Sequence, residues 1–384
     1  MNPRMAADHG IRPGPGSRPP AVVRALSFIR DSRRDRFEDV ALEVFAFQFG
    51  HNPPYRRLCE RRGLRDPDLD TWELIPFVPA AAFQSALLTS WSPERGSATT
   101  EPERVFLTSG TSRGQEGRGR HALPELALYR AAWEEPFRRH LLPDRERILM
   151  LSLIPGEDVL PQSSLSYMVS RILERFSAPG SRVLLDRQGL DAASFERSLA
   201  EVVERREAVL LLGTGLGMLA ALDSLENGGR RFRLPEGSRI LDTGGFKGRA
   251  REVRREDLLA RYAELLGIPR THVVGEYGMT ELSSQFYEPT LREHVEGTPT
   301  GEPRIYVAPP WARTRVLDPE TLRPLPPGAT GLLAHMDLAN AWTVSAVLTE
   351  DIGFLHHEGF VLEGRARAAE LRGCSLATEE LLRD

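Results

Sequence analysis

Four short segments of this sequence combine residue types suited to handling a nucleotide or an acyl group. The first, TSGTSRG at 108–114, follows the apolar run RVFL. Hydroxyls and glycines at the end of such a run present O–H and backbone N–H donors to phosphate oxygens. It lacks the Gly-Lys-Ser/Thr ending of a Walker loop, and taken alone it reads first as a flexible polar surface turn. The second, EYGMTE at 276–281, offers Tyr277 to stack on a base, Thr280 to bond a phosphate and Glu281 to hold a magnesium ion. By itself the sextet is equally a capped helix start. The third, TEDIG at 349–353, supplies paired acids near a strand end, suited to a ribose diol or simply to a turn. The fourth, AELRGCSLATEELLRD at 369–384, carries Cys374, one of two cysteines in the chain. A thiolate is strongly nucleophilic and a natural acyl acceptor.

Lysine and arginine number 50, yet Lys247 is the single lysine. An ammonium and a guanidinium are not equivalent at a tight site. Lys247 lies in the glycine-rich DTGGFKGR at 242–249, so it is either a placed cation or the chance survivor of an arginine bias. Other candidates read as structural. LLLGTGLG at 210–217 fails the G-x-G-x-x-G spacing and reads as a turn. His356 and His357 lack metal-ligand spacing with other ligands and read as a strand-end turn. Cys59, on an amphipathic helix, reads as a half-buried side chain.

The elements that must position these segments follow from periodicity. Residues 21–70 are helical with a break at Gly50 to Pro54, and WELIPFVPAAAF (72–83) reads as proline-interrupted and extended. From 147 to 278, strand-like runs such as RILMLSLIP, AVLLLGTG, SRILDTGG and THVVGEYG alternate with helical ones such as SLSYMVSRILERF and EDLLARYAELLG. That alternation predicts an α/β layer with a largely parallel sheet. Past residue 300, short strands with proline-glycine turns predict a smaller β-rich subdomain. The expected organisation is a disordered tail at 1–20, a core at 21–300, the β-rich part at 301–365, and a terminal tail at 366–384 carrying Cys374.

Bulk properties exclude several classes. A formal charge of −4 argues against a dedicated nucleic-acid binder. No run approaches the roughly 20 apolar residues of a membrane span, and the start has no apolar core of a secretory signal. Two distant cysteines make neither a disulfide framework nor a metal site. A cytoplasmic protein is expected.

Taken in order, TSGTS, TGG, YGMTE, TED and the Gly364–Arg365 pair resemble the adenylate-forming superfamily of acyl-CoA synthetases, luciferases and adenylation domains. DTGGFKGR, EYGMTELSSQFY, HMDLANAWTVSAVLTEDIG and FVLEGRARAAELRGCSL narrow the resemblance to the acyl-protein synthetase family of bacterial luminescence operons. YRRLCERRG and IPFVPAAAFQSALLTS extend it toward the front.

The resemblance implies an adenylate-forming α/β fold with layered, mostly parallel sheets. It further implies ATP and Mg2+ as cofactors, and a carboxylic acid, fatty or aromatic, activated to an acyl-adenylate. Thr108, Ser109, Gly110, Thr111 and Ser112 would contact the ATP phosphates. Gly244 and Gly245 would line the adenine pocket, with Tyr277 packed on the base beside Gly278. Thr280 would touch the α-phosphate and Glu281 would help bind magnesium. Asp351 would grip the ribose hydroxyls and Arg365 would sit near ribose and phosphate. Cys374 would take the acyl group as a thioester and pass it to a partner such as an acyl reductase or carrier protein. Two departures stand out. The phosphate loop continues RGQEGRGR where the superfamily often has a lysine, and the chain stops nineteen residues after Arg365, short of the superfamily's small C-terminal domain. Lys247 is a candidate to fill part of that electrostatic gap. Two other outcomes remain open at this level: transfer to CoA, an amine or a carrier protein directly, and a non-catalytic nucleotide-binding protein.

Overall fold

The computed structural model describes residues 18–91, 101–108, 117–244, 253–298, 301, 303–366, 378 and 381. Three helices come first: α1 (Pro20–Arg30), α2 (Phe37–His51) and α3 (Pro53–Arg61). The expected break falls between α2 and α3. Pro53 opens α3 at a position where a missing N–H costs nothing, and the Asn52 side chain caps it by accepting from the Tyr55 N–H. Cys59 on α3 is fully buried rather than half-buried. Residues 72–83 are not simply extended. Trp72–Leu74 and Ala80–Gln84 are 3-10 turns, and only β1 (Val78–Pro79) between them is a strand.

A hairpin of β2 (Arg104–Leu107) and β3 (Arg120–Leu123) leads into α4 (Ala127–Leu141). Strands and helices then alternate as the periodicity predicts: β4 (Leu149–Leu153), α5 (Ser164–Phe176), β5 (Arg182–Val183), and a small hairpin of β6 (Leu185–Asp186) and β7 (Gly189–Leu190). They continue with α6 (Ala192–Arg205), β8 (Val209–Gly213), α7 (Gly215–Asn227), β9 (Arg239–Asp242), α8 (Arg255–Leu266) and β10 (Val273–Tyr277). The remainder is β11 (Phe286–Tyr287), α9 (Thr290–Glu296), β12 (Tyr306–Val307), β13 (Ala312–Leu317), β14 (Gly331–Asp337), β15 (Ala346–His356) and β16 (Gly359–Arg365).

Strands β5, β4, β8, β9 and β10 lie side by side, all parallel. β11 then reverses direction against β10, and an antiparallel run through β12, β16, β15, β14 and β13 continues the same hydrogen-bonded path. LMLSL in β4 and VLLLG in β8 are buried along their whole length, because helices cover both faces of the parallel part. Alternate residues serve opposite faces. Met150, Leu210, Leu212 and Val274 pack toward Trp133 of α4 and Ile172 of α5. Leu149, Leu151, Leu211 and Ile240 pack toward Phe195 of α6, Leu222 of α7 and Tyr262 of α8. A third core joins α1, α2 and α3 to β13, β14 and β15. His356 ends β15, and His357 turns in the left-handed region (φ 48°) into β16, as read from the sequence.

Three histidines lie inside these cores. Burial lowers the pKa of His121 to about 4, of His335 to about 3 and, aided by the nearby Arg292 and Arg139, of His140 to about 3. In the unfolded chain such rings titrate near 6.5. Between that value and their folded pKa values the unfolded state binds more protons, so stability is lost as pH falls. Thermal unfolding is therefore expected to shift to lower temperature between pH 7 and pH 5, above the range where most carboxylates titrate. A midpoint that stays constant or rises over that window contradicts it.

Candidate active site

The parallel strands end together at Leu153, Gly213, Asp242 and Tyr277, the edge at which open α/β sheets hold ligands. A buried charge array fixes this edge. Asp242 accepts from Arg255 Nη1 (2.6 Å) and the Tyr262 hydroxyl (3.1 Å) with Oδ2, and from the Gly244 N–H (2.9 Å) with Oδ1. Gly244 sits at φ +61°, where a side chain would be strained, and its carbonyl accepts from the Gly215 N–H at 2.6 Å. Arg255 also donates to Glu288 (3.0 Å), which Arg304 grips on both oxygens (2.9 and 2.5 Å) and the Gly275 N–H approaches at 2.6 Å. Burial alone would push the Glu288 carboxyl up, but Arg255 and Arg304 overcome it and hold the pKa at about 2.

At the end of β10 the Tyr277 hydroxyl donates to Asp351 Oδ2 at 2.8 Å. Its ring packs among Phe286, Tyr306, His335 and Phe360. Asp351 does not lie at a strand end. It is inside β15, at a register break: Leu332 pairs with Ile352, but Ala334 pairs with Leu348. Thr349 bridges that break, donating to the Leu333 carbonyl (2.8 Å) and accepting from the Asp351 N–H (3.0 Å). Such bulges re-aim side chains beside active sites. Arg365 stands opposite Asp351 on β16 and pairs with Glu350.

The chain after β10 turns without forming a helix. A Cβ at Gly278 would fall 2.5 Å from Glu276 Oε1, so a side chain there would push that carboxylate aside. The Thr280 carbonyl accepts from His121 Nδ1 at 2.6 Å, and Thr280 Oγ1 lies 3.5 Å from Ser164 Oγ at the start of α5. Glu281 is buried, and its carbonyl accepts from Asn340 Nδ2 at 2.8 Å. Thr108 closes the neck of the β2–β3 hairpin: its N–H donates to the Gly119 carbonyl (2.9 Å) and its Oγ1 accepts from the Gly119 N–H (2.8 Å). The hairpin rests on the start of α5 through the Leu107 N–H and the Gln162 carbonyl (2.9 Å). Ser109, Gly110, Thr111, Ser112, Gly245, Lys247 and Cys374 lie outside the described residues.

Several residues that sequence reasoning did not single out hold this arrangement. His121 Nδ1 meets a carbonyl and must donate, so Nε2 accepts from Thr343 Oγ1 at 3.0 Å, and the buried ring is neutral. Asp337 accepts from the Ser283 and Ser284 N–H groups (both 2.9 Å), the Ser284 hydroxyl (2.7 Å) and the Ala339 N–H (3.0 Å). Burial nevertheless raises its pKa. Gln48 of α2 donates to the Asn340 carbonyl (2.9 Å) and accepts from the Ser345 hydroxyl (2.9 Å), strapping residues 337–345 to the first helices. The available signal was a histidine and an aspartate inside otherwise apolar strands.

Among the described residues no group of three His, Cys, Asp or Glu is placed to cage a metal. One carboxylate such as Glu281 suits a magnesium ion whose other ligands are nucleotide phosphates and waters.

The sequence matches the family described as acyl-protein synthetase, LuxE, over residues 22–383. The chain belongs to this family. Membership makes it a ligase that activates an acyl group at the expense of ATP. Among the most similar relatives is the long-chain-fatty-acid–luciferin-component ligase of Vibrio harveyi, 23% identical over 88% of this chain and 85% of that one. Its counterpart from Aliivibrio fischeri is 21% identical over 92% and 90%. The fold is shared with an open conformation of 2-hydroxyisobutyryl-CoA ligase, solved with its acyl-adenylate and CoA (TM-score 0.55, 15% identical, 84% of this chain and 73% of that one).

Replacing His121 by leucine would strand the Thr280 carbonyl and the Thr343 hydroxyl, at a cost of about 1–3 kcal/mol each if left unpaired. His121→Leu is expected to lower the urea midpoint and acid activation together. His121→Asn keeps an amide N–H near the Nδ1 position and should recover part of both. Equal behaviour of the two variants in both assays contradicts a bridging role for the ring.

Proposed function

We propose that this protein converts a carboxylic acid, fatty or aromatic, into an acyl-adenylate and then into a thioester on Cys374, from which the acyl group passes to a partner protein such as an acyl reductase. What supports the reading best is the meeting at one sheet edge of two sets of residues in a chain of the acyl-protein synthetase family. One set, Tyr277 with Asp351, suits base and ribose; the other, Thr280 with the neck of the phosphate hairpin at Thr108, suits phosphates.

The chemistry needs positioning and charge neutralisation more than proton transfer. A carboxylate oxygen attacks the α-phosphorus of ATP, pyrophosphate leaves, and no general base is required because the acid is already ionised. Hydroxyls and N–H groups of 108–112 and Thr280 take up phosphate charge, and Asp351 receives the ribose hydroxyls. To do so Asp351 exchanges its contact with the Tyr277 hydroxyl for the sugar. Tyr277, Gly244, Gly245 and Gly278 bound the base, Arg365 lies toward ribose and phosphate, and Lys247 adds positive charge. Glu281 would hold a magnesium ion arriving with ATP, which supplies further neutralisation of phosphate charge. In the second half the Cys374 thiolate attacks the acyl carbon and AMP leaves.

Carboxylate-dependent exchange of labelled pyrophosphate into ATP is the direct test. Cys374→Ser should retain exchange and lose the acylated protein seen by intact mass. Asp351→Ala removes a charge-assisted contact worth about 1.5–3 kcal/mol, so the ATP KM should rise roughly 10- to 100-fold. Acylation surviving in Cys374→Ser removes that cysteine as acceptor. Absence of exchange with every acid offered removes the proposal.

A further inference from the structure

Leu381 is completely buried in the core that α1, α2 and α3 share with β13, β14 and β15. On the other side of residues 367–377, the Ala366 N–H donates to the Glu350 carbonyl at 2.8 Å, next to Asp351. Two fixed points therefore flank Cys374, eight residues before it and seven after it. TEELLRD at 378–384 sets Glu379, Glu380 and Asp384 around the buried leucine. Consecutive Cα atoms are 3.8 Å apart, so those of Glu379 and Glu380 stay within about 8 Å of the Leu381 Cα.

The same core takes Tyr55, Leu58 and Cys59 from one side of α3. The opposite side is basic. Between positions 56 and 65, Arg56, Arg57, Arg61, Arg62 and Arg65 stand with a single acid, Glu60, in a chain whose formal charge is −4. Arg57, Glu60, Arg61 and Arg65 line a cleft of about 510 Å³. Arg56 lies over the Phe49 ring, 5.1 Å from its centre, and Arg62 Nη1 reaches the Phe77 carbonyl at 3.5 Å. Arg57 Nε is buried and has no hydrogen-bond partner among the described residues. Buried donors are rarely left unpaired, so an acceptor belongs in this cleft.

We infer that the arginine cleft on α3 receives the acidic segment 378–384 of this same chain, with Glu379 and Glu380 on Arg57, Arg61 and Arg65 and with Leu381 as the apolar pin. Cys374 is then carried on a span held at both ends rather than on a free arm. At a reach of about 3.5 Å per residue, its Cα stays within roughly 28 Å of Ala366 and 25 Å of Leu381. Confinement of that kind raises the effective concentration of the thiol near Asp351. This last consequence rests on the acylation proposed above; the docking does not.

Amide hydrogen exchange of the full chain reads the docking directly. Amides of 379–383 should exchange at least about tenfold slower than in a free peptide of the same sequence, and Arg57→Glu with Arg61→Glu should remove most of that protection. Adding Glu379→Arg and Glu380→Arg to the reversed chain should restore it, a rescue that a merely structural role of the arginines would not give. Where a variant fails to fold, the wild-type protection and its decrease between about 0.05 and 1 M NaCl decide the matter. Exchange at the free-peptide rate in the wild type, or protection untouched by the arginine reversals, overturns the inference and leaves acid activation standing. Free-peptide exchange together with poly-glutamate binding that Arg57→Glu abolishes overturns it in favour of a separate acidic partner. For the thiol, the reversed chain should keep pyrophosphate exchange and form the Cys374 thioester about tenfold more slowly in a single turnover. An unchanged rate overturns the positioning role. Absence of pyrophosphate exchange in the wild type removes acid activation and leaves the docking to be judged by hydrogen exchange.

Discussion

The β2–β3 hairpin pairs, among the described residues, with no strand of the main sheet, so something other than a β-ladder must hold it beside the ends of the parallel strands. His121 supplies that hold. One imidazole ties β3 to the turn after β10 through Thr280 and to residues 337–345 through Thr343, three pieces separated by 159 and 222 residues along the chain. A buried polar ring is costly unless both nitrogens are satisfied, and here both are, which makes the arrangement specific as well as stable. A hydrophobic residue of similar size would fill the space without fixing where the Thr280 carbonyl points.

The same logic runs through the rest of the edge. Asp242, Arg255, Glu288 and Arg304 are charges that fold inward rather than outward. Burying them yields little net stability compared with a well-packed apolar core, but their bidentate and shared contacts set the relative positions of β9, β10 and the turn at Gly244. Tyr277 and Asp351 extend the pattern to β15. The bulge at Thr349–Asp351 turns a carboxylate out of an otherwise regular ladder and against the tyrosine. Rigid strands thus place groups that the loops then complete.

Much of this was legible in the sequence, and the reasons are physical. Long apolar runs such as VLLLG, alternating with helical segments of amphipathic period, left few ways to build other than a parallel sheet with helices on both faces. TSGTS, YGMTE and TED stood out because hydroxyls, glycines and acids cluster there out of proportion to their surroundings, and of these the structure brings Tyr277 against Asp351. What stayed hidden depends on partners distant in sequence. Glu288 and Arg304 look like ordinary surface charges until the fold brings Arg255 beside them. Gln48 sits on an apolar helix with nothing nearby to suggest Asn340 and Ser345. TEDIG suggested a strand end because glycine and acids usually close strands, yet a bulge let β15 run on to His356. Proline spacing in 72–83 suggested extension, yet only Val78 and Pro79 pair with β15, and 3-10 turns take up the residues on either side.

The central claim is that the edge presents the α-phosphate of ATP, and not the γ-phosphate, to a carboxylate. Supplying an acid labelled with 18O in both carboxylate oxygens and analysing the nucleotide released after one turnover tests it most directly. The account predicts AMP carrying one 18O atom, since the attacking oxygen remains on phosphorus when the thiolate takes the acyl group. ADP with the label in inorganic phosphate, or AMP without label, would contradict it.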